Sequence, residues 1–213
     1  MMNDTAQLRI IEAAGPIFAH KGFSGTTVRE ICAAAKVNQA AINYYFGSKE
    51  NLYKEVFTST YSSMTPWNQL IDNPPEQPSA SFEERFRQII IRRTREIYAT
   101  ELASWKIQLI FRELHNPTSS CGEKLQEYIV RDYMVLYHFL DEEYFDPQVP
   151  EDIRWKSIFS IFGTVFFYKS SGWVLRKIVS DDMRKQAFQP KDIADFAVDG
   201  FLAFAAPLRR KNS

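Results

Sequence analysis

The chain has 213 residues, 45% of them hydrophobic and 24% charged, an ordinary globular mixture with room for one large domain or two modest ones. Its 26 Lys/Arg balance 26 Asp/Glu, six against five in the first 55 residues and 20 against 21 beyond. That excludes a polybasic arm, so a nucleic-acid partner must be held by a few placed donors and helix ends. Eight glycines without glycine-punctuated alternation argue against an all-β fold. Cys32 and Cys121 sit in unrelated contexts, outside any metal-ligand spacing, and fit a reducing interior. The start, "MMNDTAQLRIIEAAG", lacks the basic and apolar regions of a signal peptide, and the longest charge-free apolar run, 157–168, is too short to span a bilayer. The expected place is the cytoplasm, with no membrane partner.

In chain order, 5–20 reads as a helix with Leu8, Ile11, Ala14 or Gly15, and Phe18 on one stripe, ended by Lys21-Gly22. Thr27-Val28-Arg29-Glu30 is a capping box opening a short helix through Ala34, with Val28 and Ile31 on its apolar face. After a tight turn at Lys36-Val37, Asn38 caps a third helix to about Phe46. Gly47 stops it, and Ser48 caps a fourth running from Lys49 to about Met64, with Leu52, Val56 and Tyr53 or Phe57 inward. The proline-rich 66–80 reads as a connector. Helical segments follow near 82–99, 102–115, 122–143, 152–178 and 191–206, punctuated by Pro117, Pro147, Pro150 and Pro190.

The spacing predicts an all-α chain with a helix-turn-helix at its N-terminus. On a third helix starting at Gln39, residues 39, 40, 43 and 44 share one side. Gln39 and Asn43 carry amides able to donate and accept at a base edge, and Ala40 lets a backbone approach closely. Tyr44 and Tyr45 offer phenols on rigid rings, Lys36 and Lys49 supply charge at either end, and the helix starts at Thr27 and Lys49 favour phosphates. Val37, Ile42 and Phe46 point the other way, onto the first two helices.

The segment "GFSGTTVREICAAAKVNQAAINYYFGSKENLY", 22–53, resembles the DNA-binding part of the TetR family of bacterial transcriptional regulators. That family's pattern is G-F/Y, T-T/S, a short helix ending in I-A, V-S-x-x-x-[LI]-Y-x-[YH]-F and x-[SN]-K-E-x-L. The resemblance covers about residues 5–57 and implies base contacts by Gln39, Ala40, Asn43 and Tyr44, and phosphate contacts by Thr27, Tyr45 and Lys49. Asn43 departs from the tyrosine that the family commonly has there. "LIFRELHNPTSSCGEKLQEYI" and "GTVFFYKSSGWVLRKI" are similar to the C-terminal domain of the CecR-like branch, through its R-E-x-x-x-P-T signature and an aromatic-basic run. That likeness implies sensing of hydrophobic or drug-like compounds. Arg112 and Glu113 fit either part of a polar floor or the bracket of a helix end.

A single reading helix contacts too few base pairs, so a dimer over a two-fold site is expected. From Trp155 to Trp173 one stripe holds Trp155, Phe159, Phe162 and Phe166, with Ile158, Ile161, Val165 and Tyr168 around the cylinder. The last helix places Ile193, Phe196 or Ala197, Gly200 and Phe204 on one face. The resemblance likewise implies dimerisation through the last two long helices. The middle helices carry Trp105, Phe111, Tyr133 and Tyr137, which with Phe162 and Phe166 are the expected wall of a small-molecule pocket. No i, i+4 His pair or Cys partner accompanies His115 or His138, and no nucleophile–base pair, phosphate loop or paired carboxylates occur. Neither metal, cofactor nor enzymatic activity is expected.

The expectation is therefore a helix-turn-helix DNA-binding domain at 1–48 and a helical ligand-binding and dimerisation domain at 49–213. Together they would make a dimeric regulator, a repressor released from a palindromic operator on double-stranded DNA by a hydrophobic small molecule. The competing readings are a helical interaction module without specific DNA reading and a TetR-like activator without a ligand.

Overall fold

The computed structural model describes residues 2–73, 81–98 and 104–210. These residues form twelve α-helices, one short 3-10 turn and an isolated antiparallel pairing of Phe145 with Arg209. They divide into two compact units, the first made from residues 1–64 and 99–129, the second from 65–98 and 130–213.

The first unit opens with α1 (Met2–Gly25), interrupted where Gly22 takes φ 75°, a left-handed value suited to glycine. Its buried stripe is Ile10, Ile11, Ala14 and Phe18. Leu8, expected on that stripe, is instead exposed, because Ile10 takes the inward position. Helix α2 (Val28–Ala35) starts on the expected capping box, α3 (Gln39–Phe46) on Asn38, and α4 (Lys49–Ser62) on Ser48. Helix α7 (Ser104–His115) packs along α1, and Gly15 makes that possible: a Cβ there would lie 2.2 Å from the Trp105 ring.

The second unit contains α5 (Trp67–Asp72), α6 (Phe82–Tyr98), α9 (Glu151–Ser170), α10 (Gly172–Ile178), α11 (Asp181–Ala187) and α12 (Pro190–Ala205). Helix α8 (Gly122–Glu143) gives its residues to 129 to the first unit and the rest to the second. Helices α6, α9 and α12 pack on one another, with Phe86, Ile90, Ile158, Ile161, Val198 and Phe201 buried between them. Arg87 ties α6 to α12 through Asp195 (3.1 Å) and Asp199 (2.5 Å).

Four expectations need correction. The connector at 66–80 contains α5, which forms because Trp67 and Leu70, three apart, are both buried; 74–80 lie outside the described residues, as do 99, 102 and 103 of the expected helices. The single helix at 152–178 is two, divided at Ser171, where Ser-Ser-Gly supplies little to sustain it. The aromatic stripe on α9 is also two lines. Phe159, Gly163 and Phe167 face solvent, while Phe162 is buried and Phe166 half-buried. On α12, Ile193 and Ala197 are buried, whereas Phe196, Gly200, Ala203 and Phe204 form an exposed stripe. The side chain of Trp173 is outside the description. No helix among the described residues is long and apolar enough to cross a membrane.

Candidate nucleic-acid interface

Helix α3 is short, and both ends are defined. The Asn38 side chain accepts the Ala41 N–H (2.9 Å), and Gly47, at φ 74°, closes the other end by donating to Asn43 O (2.9 Å). Ile42 and Phe46 are buried and anchor one side. Gln39, Ala40, Asn43 and Tyr44 are then all exposed, Tyr44 to 74%. An aromatic ring so open to water, beside two amides and a methyl group, forms a surface with hydrogen-bonding and apolar contacts to offer. Tyr45 is half-buried, with its ring edge-on to Tyr44 at 5.0 Å.

The elements around α3 are fastened by polar contacts. Thr27 N donates to Glu30 Oε2 (2.9 Å), the Thr27 hydroxyl donates to the same oxygen (2.9 Å), and Glu30 N donates back to Thr27 Oγ1 (3.3 Å). Lys21 pairs with Glu30 and, with the capping donors, holds its carboxyl down at about 2. A depressed carboxylate stabilises above its unfolded value of 4.5, and that contribution is lost as pH falls toward 2. The Thr27 hydroxyl is therefore occupied in the cap, and what the site offers outward is the start of α2.

Lys49, expected to meet phosphate, is turned partly inward. Its Nζ donates to Phe23 O and Thr26 O, both at 2.9 Å, and lies 4.3 Å over the Phe23 ring. Two of three N–H groups are thus turned into the subunit, because those carbonyls close over the ammonium. Lys36 is exposed in a left-handed conformation (φ 53°, ψ 48°) that glycine would adopt without strain. Lys36→Gly should relieve about 1 kcal/mol of backbone strain, partly offset by greater freedom in the unfolded chain. Thermal unfolding should therefore show a small rise in Tm, while the salt dependence of DNA binding should weaken by about one phosphate contact per subunit if Lys36 meets the DNA backbone. Arg29, not among the expected contacts, is exposed in the first turn of α2, two residues after the capping threonine.

The R-E-x-x-x-P-T segment lies on α7 and the following turn, and its side chains reach across the first unit. Arg112 Nε donates to Ala19 O (3.2 Å) and Nη2 to His20 O (3.0 Å), near the break in α1. Glu113 is fully buried: Oε1 accepts the equally buried Tyr53 hydroxyl of α4 (2.5 Å), and Oε2 accepts Thr118 N (2.9 Å) and Oγ1 (3.1 Å). Burial and that carboxyl raise the Tyr53 pKa, and burial pushes Cys121 up to about 12, which leaves its thiol inert. Glu113→Ala would strand the buried Tyr53 hydroxyl and two half-buried donors of Thr118, so urea unfolding should show a loss of about 2–3 kcal/mol.

The six expected pocket residues fall in both units. Trp105 packs over Gly15, and Phe111 stacks beside His115 (6.1 Å), whose Nδ1 hydrogen-bonds Phe111 O at 2.7 Å. In the second unit Tyr133 meets Phe162 (4.3 Å) and Phe162 meets Phe166 (5.9 Å), whereas Tyr137 stacks on Trp155 (4.5 Å). Trp67, missed because it sits in the supposed connector, joins Phe162 at 5.7 Å.

Residues 10–56 match the model of the tetR family of bacterial regulatory proteins, and 82–206 match the C-terminal domain of the HTH-type transcriptional dual regulator CecR. The chain belongs to the TetR family. Along 156 residues, 62% of the chain and 70% of the relative, it is 33% identical to the probable HTH-type transcriptional regulator YttP of Bacillus subtilis. It is 52% identical to the dual regulator CecR of Shigella flexneri, but over 50 residues, 24% of this chain and 22% of that one. Among solved structures, NalD, the secondary repressor of the MexAB-OprM multidrug efflux pump in Pseudomonas aeruginosa, shares the fold with a TM-score of 0.68 at 14% identity, each chain fully covered. This TetR-family chain is a DNA-binding transcription regulator, not an enzyme.

Proposed function

We propose that the protein is a dimeric repressor, working in the cytoplasm, that holds a palindromic operator and is released from it by a hydrophobic small molecule. The observation that carries the reading is the outward face of α3, where Gln39, Ala40, Asn43 and Tyr44 stand together in solvent. Those four read base edges in the major groove; the starts of α2 and α4, with Lys36, Tyr45 and Arg29, meet phosphates. The dimer forms through α9 and α12. Their solvent-facing lines each carry two phenylalanines flanking a glycine, Phe159-Gly163-Phe167 and Phe196-Gly200-Phe204. A Cβ at Gly163 or Gly200 would meet nothing within 4 Å in the subunit, so what those glycines leave room for is a neighbouring helix.

The effector acts through α4, whose Tyr53 is gripped by Glu113 and whose Phe57 and Tyr61 lie 6.5 and 4.5 Å from Tyr128 of α8. A ligand shifts DNA affinity only as far as it prefers one arrangement of these helices over another, and coupling of about 1–3 kcal/mol changes affinity about 5–150-fold. The test is selection of bound duplexes from a random pool, followed by a screen for compounds that release them. A selected palindrome freed by apolar compounds is expected. Recovery without any sequence preference would overturn the assignment.

A further inference from the structure

The inward line of α9 ends in a cation. Phe162, Phe166 and Lys169 follow one another four and then three residues apart, a spacing that stacks side chains on one side of a helix. The buried ring of Phe162 meets Tyr133, Trp67 and Phe166 at 4.3, 5.7 and 5.9 Å. One turn on, Lys169 Nζ lies 5.1 Å over the ring of Tyr98, which is held there because its hydroxyl donates to Val165 O at 2.9 Å. Lys169 is half-buried, and burial lowers its pKa, with no carboxylate among the described residues acting in the other direction. A ring face replaces part of the lost hydration of an ammonium but gives it no counter-charge.

We infer that the effector is an organic anion, its apolar or aromatic body lying against Trp67, Tyr133, Phe162 and Phe166 and its carboxylate seated on Lys169. This rests on the reading that the protein answers to a small molecule, and it narrows the class. A neutral compound of the same shape would cover the ammonium further while offering it nothing, and a lipophilic cation would be repelled.

The test uses the full-length protein and matched series: benzoate, 2-naphthoate and decanoate, their methyl esters, and 2-naphthylmethylammonium. Thermal unfolding and release from the selected operator are followed for the wild type, Lys169→Met and Lys169→Arg. In the wild type at least one acid should act at about tenfold lower concentration than its ester. Lys169→Met should abolish that preference, weakening the acid while the ester acts at the same or a lower concentration, and Lys169→Arg should keep it. Esters as effective as acids in the wild type, or a preference surviving in Lys169→Met, would overturn the anion assignment and leave the effector reading standing. Stabilisation by none of the compounds, with no release of DNA, would sink both.

Discussion

Asn43→Ala together with Tyr44→Ala should cost the protein about three orders of magnitude or more in affinity for its selected duplex, with the subunit fold and the dimer intact. Both side chains are exposed, so their removal breaks no internal contact of the helix core, and Ile42 and Phe46 continue to seat α3. Each base contact supplies about 1–3 kcal/mol of discrimination, and a dimer presents each residue twice. The loss is bounded by the ratio of specific to non-specific binding, about 10³–10⁷. Mobility-shift titrations at fixed salt, on the selected duplex and a scrambled one, separate the two components. The double variant should bind both duplexes alike, at the level the wild type shows for the scrambled one. Discrimination retained within tenfold of wild type would remove α3 from the reading role.

Phe167→Asp with Phe204→Asp is the second large effect. These rings are 62% and 53% exposed in the subunit, so the substitutions leave the monomer's core untouched. In a two-fold interface they would bury four carboxylates without partners, at several kcal/mol. Sedimentation should show monomers at concentrations where the wild type is dimeric, with an unchanged helical signal. Operator affinity should fall about 10³-fold or more, because one reading helix then engages one half-site without its twin. A doubly substituted protein that stays dimeric would move the interface off α9 and α12.

The two variants fail differently, which separates reading from pairing. The first leaves a dimer that cannot discriminate. The second leaves an intact reading face with nothing to hold it over two half-sites.

How far the sequence was legible follows from where the deciding contacts lie along the chain. Helices α2 to α4 were readable because their limits are set by residues within four positions: Thr27 with Glu30, Asn38 with Ala41, Gly47, and Ser48 with Asn51. The exposed set on α3 followed from the same local periodicity. Helices α5 and α11, of six and seven residues, are too short to show a period; the latter is capped by Ser180, whose hydroxyl accepts the Met183 N–H. Helix α9 is apolar nearly all round, so spacing could not divide its outward phenylalanines from the inward line that ends at Lys169. The fate of Lys49 and Glu113 was not legible at all. Their partners lie 23 and 26 residues away for the lysine, and 60 for the carboxyl's bond to Tyr53. Nothing in the local sequence shows that two carbonyls take two of the three N–H groups of Lys49 in the fold.

Gly22 and Arg112 carry a consequence for engineering. A side chain at residue 22 would need a left-handed backbone and would also strike the guanidinium, 2.8 Å from the position of its Cβ. Arg112 uses that gap to satisfy carbonyls where α1 breaks, much as a tenon fills a mortise cut for it. The reading head is thus completed by a piece of chain nearly a hundred residues downstream. A chimera that transplants only the first 48 residues should fray at that joint, whereas one that carries 1–64 together with 104–129 keeps it whole.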